Sequence, residues 1–276
     1  MKPHFNWQEI LLDCKNNVQE SIKPYQKTIK EPQPNLGVGA GGDVMKPMDL
    51  AAETAIFDTL KHHEVSFTLI SEESGVKKFG ETAGKCFVTV DPIDGSTNFM
   101  HGLPFYCCSI AVSSKHMLGD VCAGMVADLV HGETYTAIKG EGAYRNGKKI
   151  KPSTTAVLHD AVIGLDLNTY KVKEIVAKLT GIIAETKHIR HFGANALELC
   201  FVADGSTDAF VDIRGKLRTT DVAAAFLIVK EAGGIVTTPD NQAVNVELDP
   251  KKTLSFIASG NLGIHKKILN LVKSEC

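Results

Sequence analysis

The stretch Val88-Thr89-Val90-Asp91-Pro92-Ile93-Asp94-Gly95-Ser96-Thr97-Asn98-Phe99 decides how this chain is read. A β-branched apolar run feeds two aspartates three residues apart, Pro92 sets a tight turn between them, and Gly95-Ser96-Thr97 opens the next element. Two carboxylates so placed can converge on one or two hard cations, because Mg²⁺ takes an octahedral shell of oxygen ligands. The Gly-Ser-Thr step offers backbone N–H groups to an anion if a helix begins there. A metal site and a phosphate site would then share one turn. Asp91 and Asp94 also fit as plain turn formers or helix N-caps.

Two further segments favour the chemical reading. Upstream, FTLISEESG ends a strand with Glu72 and Glu73; downstream, LRTTDVAAAF puts Asp221 at a helix start. Taken singly these are loop charges and an N-cap. Taken with Asp91 and Asp94 they form an acidic cluster of the kind used in two-metal phosphoryl chemistry.

Around these segments the chain changes grammar once. Trp7, Ile10, Leu11, Cys14, Val18 and Ile22 recur at helical spacing, a pattern expected to stop near Pro24. The Gly/Pro-rich PQPNLGVGAGGDVMKP reads as a mobile surface loop, and helical character returns from Met48. Short strands are expected at Ser66–Ser71, Cys86–Val90, Phe105–Ser113, Val121–Asp128 and Glu133–Ile138, with Asn146-Gly147 as a hairpin turn. This is an α+β layout. After the polar joint Lys151–Thr155 strands and helices alternate, an α/β layout: strand Ala161–Leu167, helix Val172–Ala184, strand His188–Phe192, helix Ala194–Ala203, strand Asp208–Ile213, helix Asp221–Ala232, strands Ile235–Thr237 and Ser255–Ala258, helix Leu262–Lys273. Two halves are expected, 1–155 with most of the metal ligands and 156–276 with the substrate contacts and the last ligand.

Composition excludes several function classes. Lys plus Arg is 30 against Asp plus Glu 32, so the net charge of −2 gives no pull toward nucleic acid or an anionic membrane. Aromatic residues, at 7%, are too few for a base-stacking platform. Seven cysteines without a CxxC spacing argue against a disulfide framework or a structural zinc site and for a reducing compartment. No apolar run nears the roughly 18 residues of a membrane span, and the N-terminus lacks a signal-peptide core. A cytoplasmic protein is expected. The ten histidines show no HExxH or HxxxH spacing, and GVGAGG neither follows a clear strand nor opens a helix directly, so neither a histidine–zinc site nor a dinucleotide fold is read from them.

The pieces Glu72-Glu73-Ser74, DPIDGSTNF and TDVAAA resemble, in order and spacing, the signature motifs of the inositol monophosphatase family of Mg²⁺-dependent phosphatases. The resemblance implies a layered αβαβα sandwich of the sugar-phosphatase type with the site between the two halves. It also implies a homodimer and a small phosphate ester as substrate. Matched position by position, Glu72, Asp91, Asp94 and Asp221 are side-chain metal ligands and Ile93 supplies a backbone carbonyl. Asp49 and Ser96 orient the attacking water. Asp94, Gly95, Ser96 and Thr97 face the phosphoryl group, and Glu73 has a secondary acidic role. Two or three Mg²⁺ ions are implied, with Mn²⁺ as a substitute, and Asp43 in the glycine-rich loop is the candidate ligand of a third ion.

The loop GVGAGGDVMKPMD, the stretch RHFGANALEL and the stretch DAFVDIRGKLRTTD resemble archaeal-type members that act on both fructose 1,6-bisphosphate and inositol 1-phosphate. In that group the positions of Arg190, Asn195 and Arg214 touch substrate. Asp212 matches a hydroxyl-binding glutamate of inositol phosphatases, and its shorter side chain argues against strict inositol specificity. Two alternatives stand beside this reading: a same-family phosphatase for 3′-phosphoadenosine 5′-phosphate or NADP, and a non-enzymatic regulatory protein that keeps the fold.

Overall fold

In the computed structural model, residues 5–27, 34 and 36–274 are described. The N-terminal apolar stripe forms helix α1 (Trp7–Lys27), whose buried face is Ile10, Leu11, Cys14, Val18 and Ile22. The helix runs through Pro24 rather than stopping there. A proline costs one backbone bond and a clash with the preceding turn. Here it falls in the last turn, after the buried stripe has fixed the helix axis. Helix α2 (Pro47–His62) packs beside α1, starting with Pro47 in its first turn.

The strands that follow are β1 (Phe67–Ser71), β2 (Gly75–Phe79), β3 (Phe87–Asp94), β4 (Cys107–Ser113), β5 (Val121–Asp128), β6 (Thr134–Ile138), β7 (Gly142–Arg145) and β8 (Lys148–Lys149). They form one sheet of order β2-β1-β3-β4-β5-β6-β7-β8, antiparallel except for the β1/β3 pair. The short edge strand β2 has no counterpart in the sequence reading; its GVKKF is too polar to stand out as a β run. Asn146 and Gly147 close the β7/β8 hairpin with φ of 50° and 74°, the left-handed pair that such a two-residue turn requires.

The second sheet, of order β10-β9-β11-β13-β12, comprises β9 (Val162–Leu165), β10 (His188–Arg190), β11 (Ala209–Arg218), β12 (Ile235–Thr237) and β13 (Thr253–Ser259). Helices α4 (Val172–Glu185) and α7 (Leu262–Ser274) cover its outer face, where Leu179, Ile182, Ile264 and Ile268 pack on Ile163, Leu165, Val211 and Ile257. Helices α5 (Asn195–Asp204) and α6 (Thr219–Ala232) lie between the sheets, against Cys107 and Ala111 on one side and Phe210 and Phe256 on the other. On the far side of the first sheet, α1 and α2 bury Val88, Val90, Cys108 and Ile110. The layers are therefore αβαβα. Every residue of α6 from Thr219 to Val229 is buried, as a helix sandwiched between two sheets must be. Its run Ala223-Ala224-Ala225 allows a close approach: a Cβ on Gly124 of β5 would lie 3.1 Å from the Ala224 Cα.

Candidate active site

The two aspartates of the opening motif do not sit on a turn. Both lie within β3, where Asp91 pairs with Ser109 and Asp94 with Cys107, so that Pro92 and Ile93 together face Cys108 alone. This is a β-bulge, with one extra residue on the β3 side. Side chains alternate along a strand, so positions three apart would normally point to opposite faces. The extra residue converts that spacing to two ladder steps and puts both carboxylates on the face that meets α5 and α6. Pro92 is tolerated because the ladder is already broken at the bulge. Ile93 turns the other way, into the α1/α2 core with 1% exposure, leaving only its backbone to serve the site.

At the C-terminal ends of β1 and β3, carboxylate oxygens of Glu72, Asp91 and Asp221 all lie within 4.8 Å of one another. Asp221 reaches this point as the third residue of α6, not as its N-cap, and its Oδ2 accepts the Arg218 backbone N–H at 3.1 Å. The donors are oxygen only, and Asp91 Oδ1 is buried without a hydrogen-bond partner. That chemistry fits a hard divalent cation. Burial pushes the carboxyls of Asp91 and Asp94 well upward, with repulsion from neighbouring carboxylates adding to the effect, and raises Asp221 against the opposing pull of Arg218. Burial raises Glu72 to about 7 against the opposing pull of Arg218. Asp94 stands beside the cluster and is partly committed, since its Oδ2 accepts the Ala196 N–H at the start of α5 at 2.6 Å.

Asp49 lies in the first turn of α2, 2% exposed, with Oδ1 buried and unpartnered. Burial, with repulsion from Glu73 and Glu72, raises it to about 8. Ser96 opens the short helix α3 (Ser96–His101) behind Gly95, whose φ of 88° and whose closeness to Phe105 O, 3.0 Å from a would-be Cβ, admit only glycine. Its Oγ accepts a hydrogen bond from Lys46 Nζ at 2.8 Å. Thr97 is exposed. Glu73 carries an unpartnered Oε2 and is raised by burial to about 7.

The glycine-rich segment is built onto this site. Val38 bridges to Val44, and the amides of Ala40 and Gly41 donate to the carbonyls of Glu73 and Glu72 at 3.0 and 2.6 Å. It is a small hairpin where a loop without regular structure was expected. Asp43 is not brought to the carboxylate triad; its exposed side chain accepts from Arg218 Nη1 at 2.7 Å.

The two arginines expected at the substrate differ. Arg190 is exposed, and among the described residues its side chain bonds to the neighbouring Ile189 carbonyl. Arg214, with a side chain 6% exposed, is consumed by Asp212 through Nε and Nη2, by Asp166, and by the Asn168 carbonyl. It is a buried cross-link between β11 and the segment after β9, so its guanidinium is already engaged at the position where a substrate contact is expected. Asp212 is likewise 0% exposed and saturated by Arg214 rather than open to a hydroxyl. Asn195 Oδ1 is buried without a partner beside Asp94.

Three side chains in contact with the candidate site residues were given no individual role from the sequence. Lys46 stands three residues before Asp49, and Arg218 three before Asp221, so helix-start spacing was the available signal. Glu53, one helical turn after Asp49, accepts from the Ser71 hydroxyl and from the Ser74 N–H, fixing the turn that carries Glu72 and Glu73.

A layered αβαβα chain with this carboxylate triad, and a serine at the helix start beside it, defines a metal-dependent phosphoric monoester hydrolase. The comparisons with known proteins then give the family. The chain belongs to the inositol monophosphatase family, whose sequence pattern matches residues 11–275. It is 34% identical to a fructose-1,6-bisphosphatase/inositol-1-monophosphatase of Methanothermobacter thermautotrophicus, over 98% of this chain and 97% of that one. It is 33% identical to a bifunctional NADP phosphatase/NAD kinase of Methanococcus maripaludis, over 95% of this chain and 48% of that one. Among solved structures, the MJ0109 gene product, an inositol monophosphatase–fructose 1,6-bisphosphatase, superposes with a TM-score of 0.85 at 30% identity, covering 97% of this chain and all of that one.

Proposed function

We propose that the chain hydrolyses phosphate monoesters of sugars and polyols, with fructose 1,6-bisphosphate and inositol 1-phosphate as substrates. The observation that carries this is the convergence of Glu72, Asp91 and Asp221 from three separate segments on one small volume. Bound Mg²⁺ or Mn²⁺, two or three ions, would supply Lewis acidity toward the phosphoryl group and acidify a water. The triad, with Asp94 and the Ile93 carbonyl, would hold these ions. Asp49 and Ser96 orient the attacking water, and the buried Asp49 carboxyl, raised to about 8, suits proton transfer near neutrality. The first-turn amides of α3, at Gly95, Ser96 and Thr97, lack intrahelical acceptors and face the phosphoryl oxygens. Arg190, exposed and without an acidic partner among the described residues, suits a second phosphate. Asn195 lines the pocket beside Asp94. A homodimer in the cytoplasm fits the family and the free thiols of the described cysteines.

A second reading, NADP or a related nucleotide phosphate as substrate, draws on the Methanococcus relative's name. The test is kcat/KM on fructose 1,6-bisphosphate, inositol 1-phosphate, 3′-phosphoadenosine 5′-phosphate and NADP, with Mg²⁺ supplied and then chelated. Mg²⁺-dependent preference for the first two is expected. A preference for either nucleotide would replace the substrate assignment, and no phosphate release from any of them would revive a regulatory role.

A further inference from the structure

Lys46 lies outside the metal-ligand set, yet it touches both halves of the water-orienting pair. Its Nζ is 2.8 Å from Ser96 Oγ, and its backbone carbonyl accepts the Asp49 N–H at 3.1 Å. Lys46 is the N-cap of α2, with φ −116° and ψ 150°, the extended conformation that Pro47 imposes on the residue before it. The buried Met48 and Asp49 that follow anchor this helix start. The ammonium is therefore delivered from a stiff backbone position.

We propose that Lys46 is a positioning residue of the hydrolytic reaction, fixing the direction of the Ser96 hydroxyl proton. An ammonium has donors and no acceptor, so Ser96 Oγ must be the acceptor in this bond. With a lone pair on Oγ so occupied, the one hydroxyl proton is turned away from Lys46. In the same helix turn as Lys46, Asp49 Oδ1 is buried and has no partner. The bond thus leaves the Ser96 hydroxyl as a donor directed away from Lys46, free for the water that Asp49 and Ser96 orient. A purely electrostatic role, neutralising Asp49 and Glu73, would need no contact with Ser96. This inference rests on the reading of Asp49 and Ser96 given above.

A double-mutant cycle separates these roles. Lys46→Met, Lys46→Arg, Ser96→Ala and the Lys46→Met/Ser96→Ala double variant are assayed for Mg²⁺-dependent phosphate release, with thermal melting in Mg²⁺ to confirm folding. Lys46→Met should lower kcat about tenfold to a hundredfold with KM within about twofold. Lys46→Arg should recover part of the loss. In the Ser96→Ala background the Lys46→Met change should cost less than about threefold, because the group it acts through is gone. A full multiplicative loss in that background, or a rise in KM alone, would overturn the proposal while leaving the hydrolase reading intact. A wild-type chain that releases no phosphate would overturn both.

Discussion

Arg218 Nη2 lies 2.6 Å from Glu72 Oε2, which places a guanidinium directly on one of the three converging carboxylates. The same side chain reaches Asp43 at 2.7 Å and Asp221 at 3.5 Å, tying the glycine-rich hairpin, the end of β1 and the start of α6 together. It offsets repulsion among groups that a cation would also neutralise. Arg218→Met should cost about 3–5 kcal/mol of stability in the presence of a chelator, since it strands carboxylates that are at least partly buried. With saturating Mg²⁺ the cost should shrink to a fraction of that. Denaturant unfolding under both conditions checks this. An equal cost in both would make Arg218 a permanent strut with no link to the metal.

Asp94→Asn should reduce Mg²⁺-dependent turnover by about a hundredfold or more while the fold survives. The structure sharpens why the fold survives: Asp94 Oδ2 accepts the Ala196 N–H, and an asparagine carbonyl can take over that bond. Steady-state phosphate release, with circular dichroism as the control, tests it. Near-normal turnover would remove Asp94 from the metal set.

The burial of Arg214 makes a structural role testable against a substrate contact. Its partners Asp166 and Asp212 are 1% and 0% exposed, so Arg214→Ala strips two buried carboxylates of their shared guanidinium, a loss of about 3–5 kcal/mol. Activity on fructose 1,6-bisphosphate and inositol 1-phosphate should fall together, along with the melting temperature. Arg190→Ala should leave the melting temperature in place and raise KM for the bisphosphate selectively. A selective bisphosphate defect in Arg214→Ala, at unchanged stability, would restore Arg214 as a substrate contact.

These contrasts mark what a sequence can carry. The order of elements and the acidic cluster were legible because hydrophobic period and motif spacing are local properties, whereas the layered fold came only from the resemblance those motifs carry. The bulge at Pro92-Ile93 was not, since it is defined by Cys108 on another strand. Nor were the fates of Arg214 and Arg218. A lone arginine reads the same whether it meets buried aspartates from other segments or solvent, and only the fold brings Asp166 and Glu72 to them. Pro24 misled for a related reason: the packing of α1 against the first sheet outweighs one proline in the last turn.

The pH dependence of stability should run opposite to that of a protein held by ordinary salt bridges. Burial lifts Asp49 to about 8 and Glu72 and Glu73 to about 7, whereas in the unfolded chain such groups titrate near about 4. Between those limits the folded state holds protons that the unfolded state has released, so stability falls as pH rises from about 4.5 to about 8. A divalent cation bound by the ionised carboxylates removes the reason to keep the protons. Melting temperature in chelator should therefore decline across this window, while in saturating Mg²⁺ it should flatten, and cation binding near pH 6 should release more protons than near pH 9. A melting temperature in chelator that is flat or rises over the window would show that Lys46 and Arg218 already neutralise the cluster, leaving no buried charge for the metal to relieve.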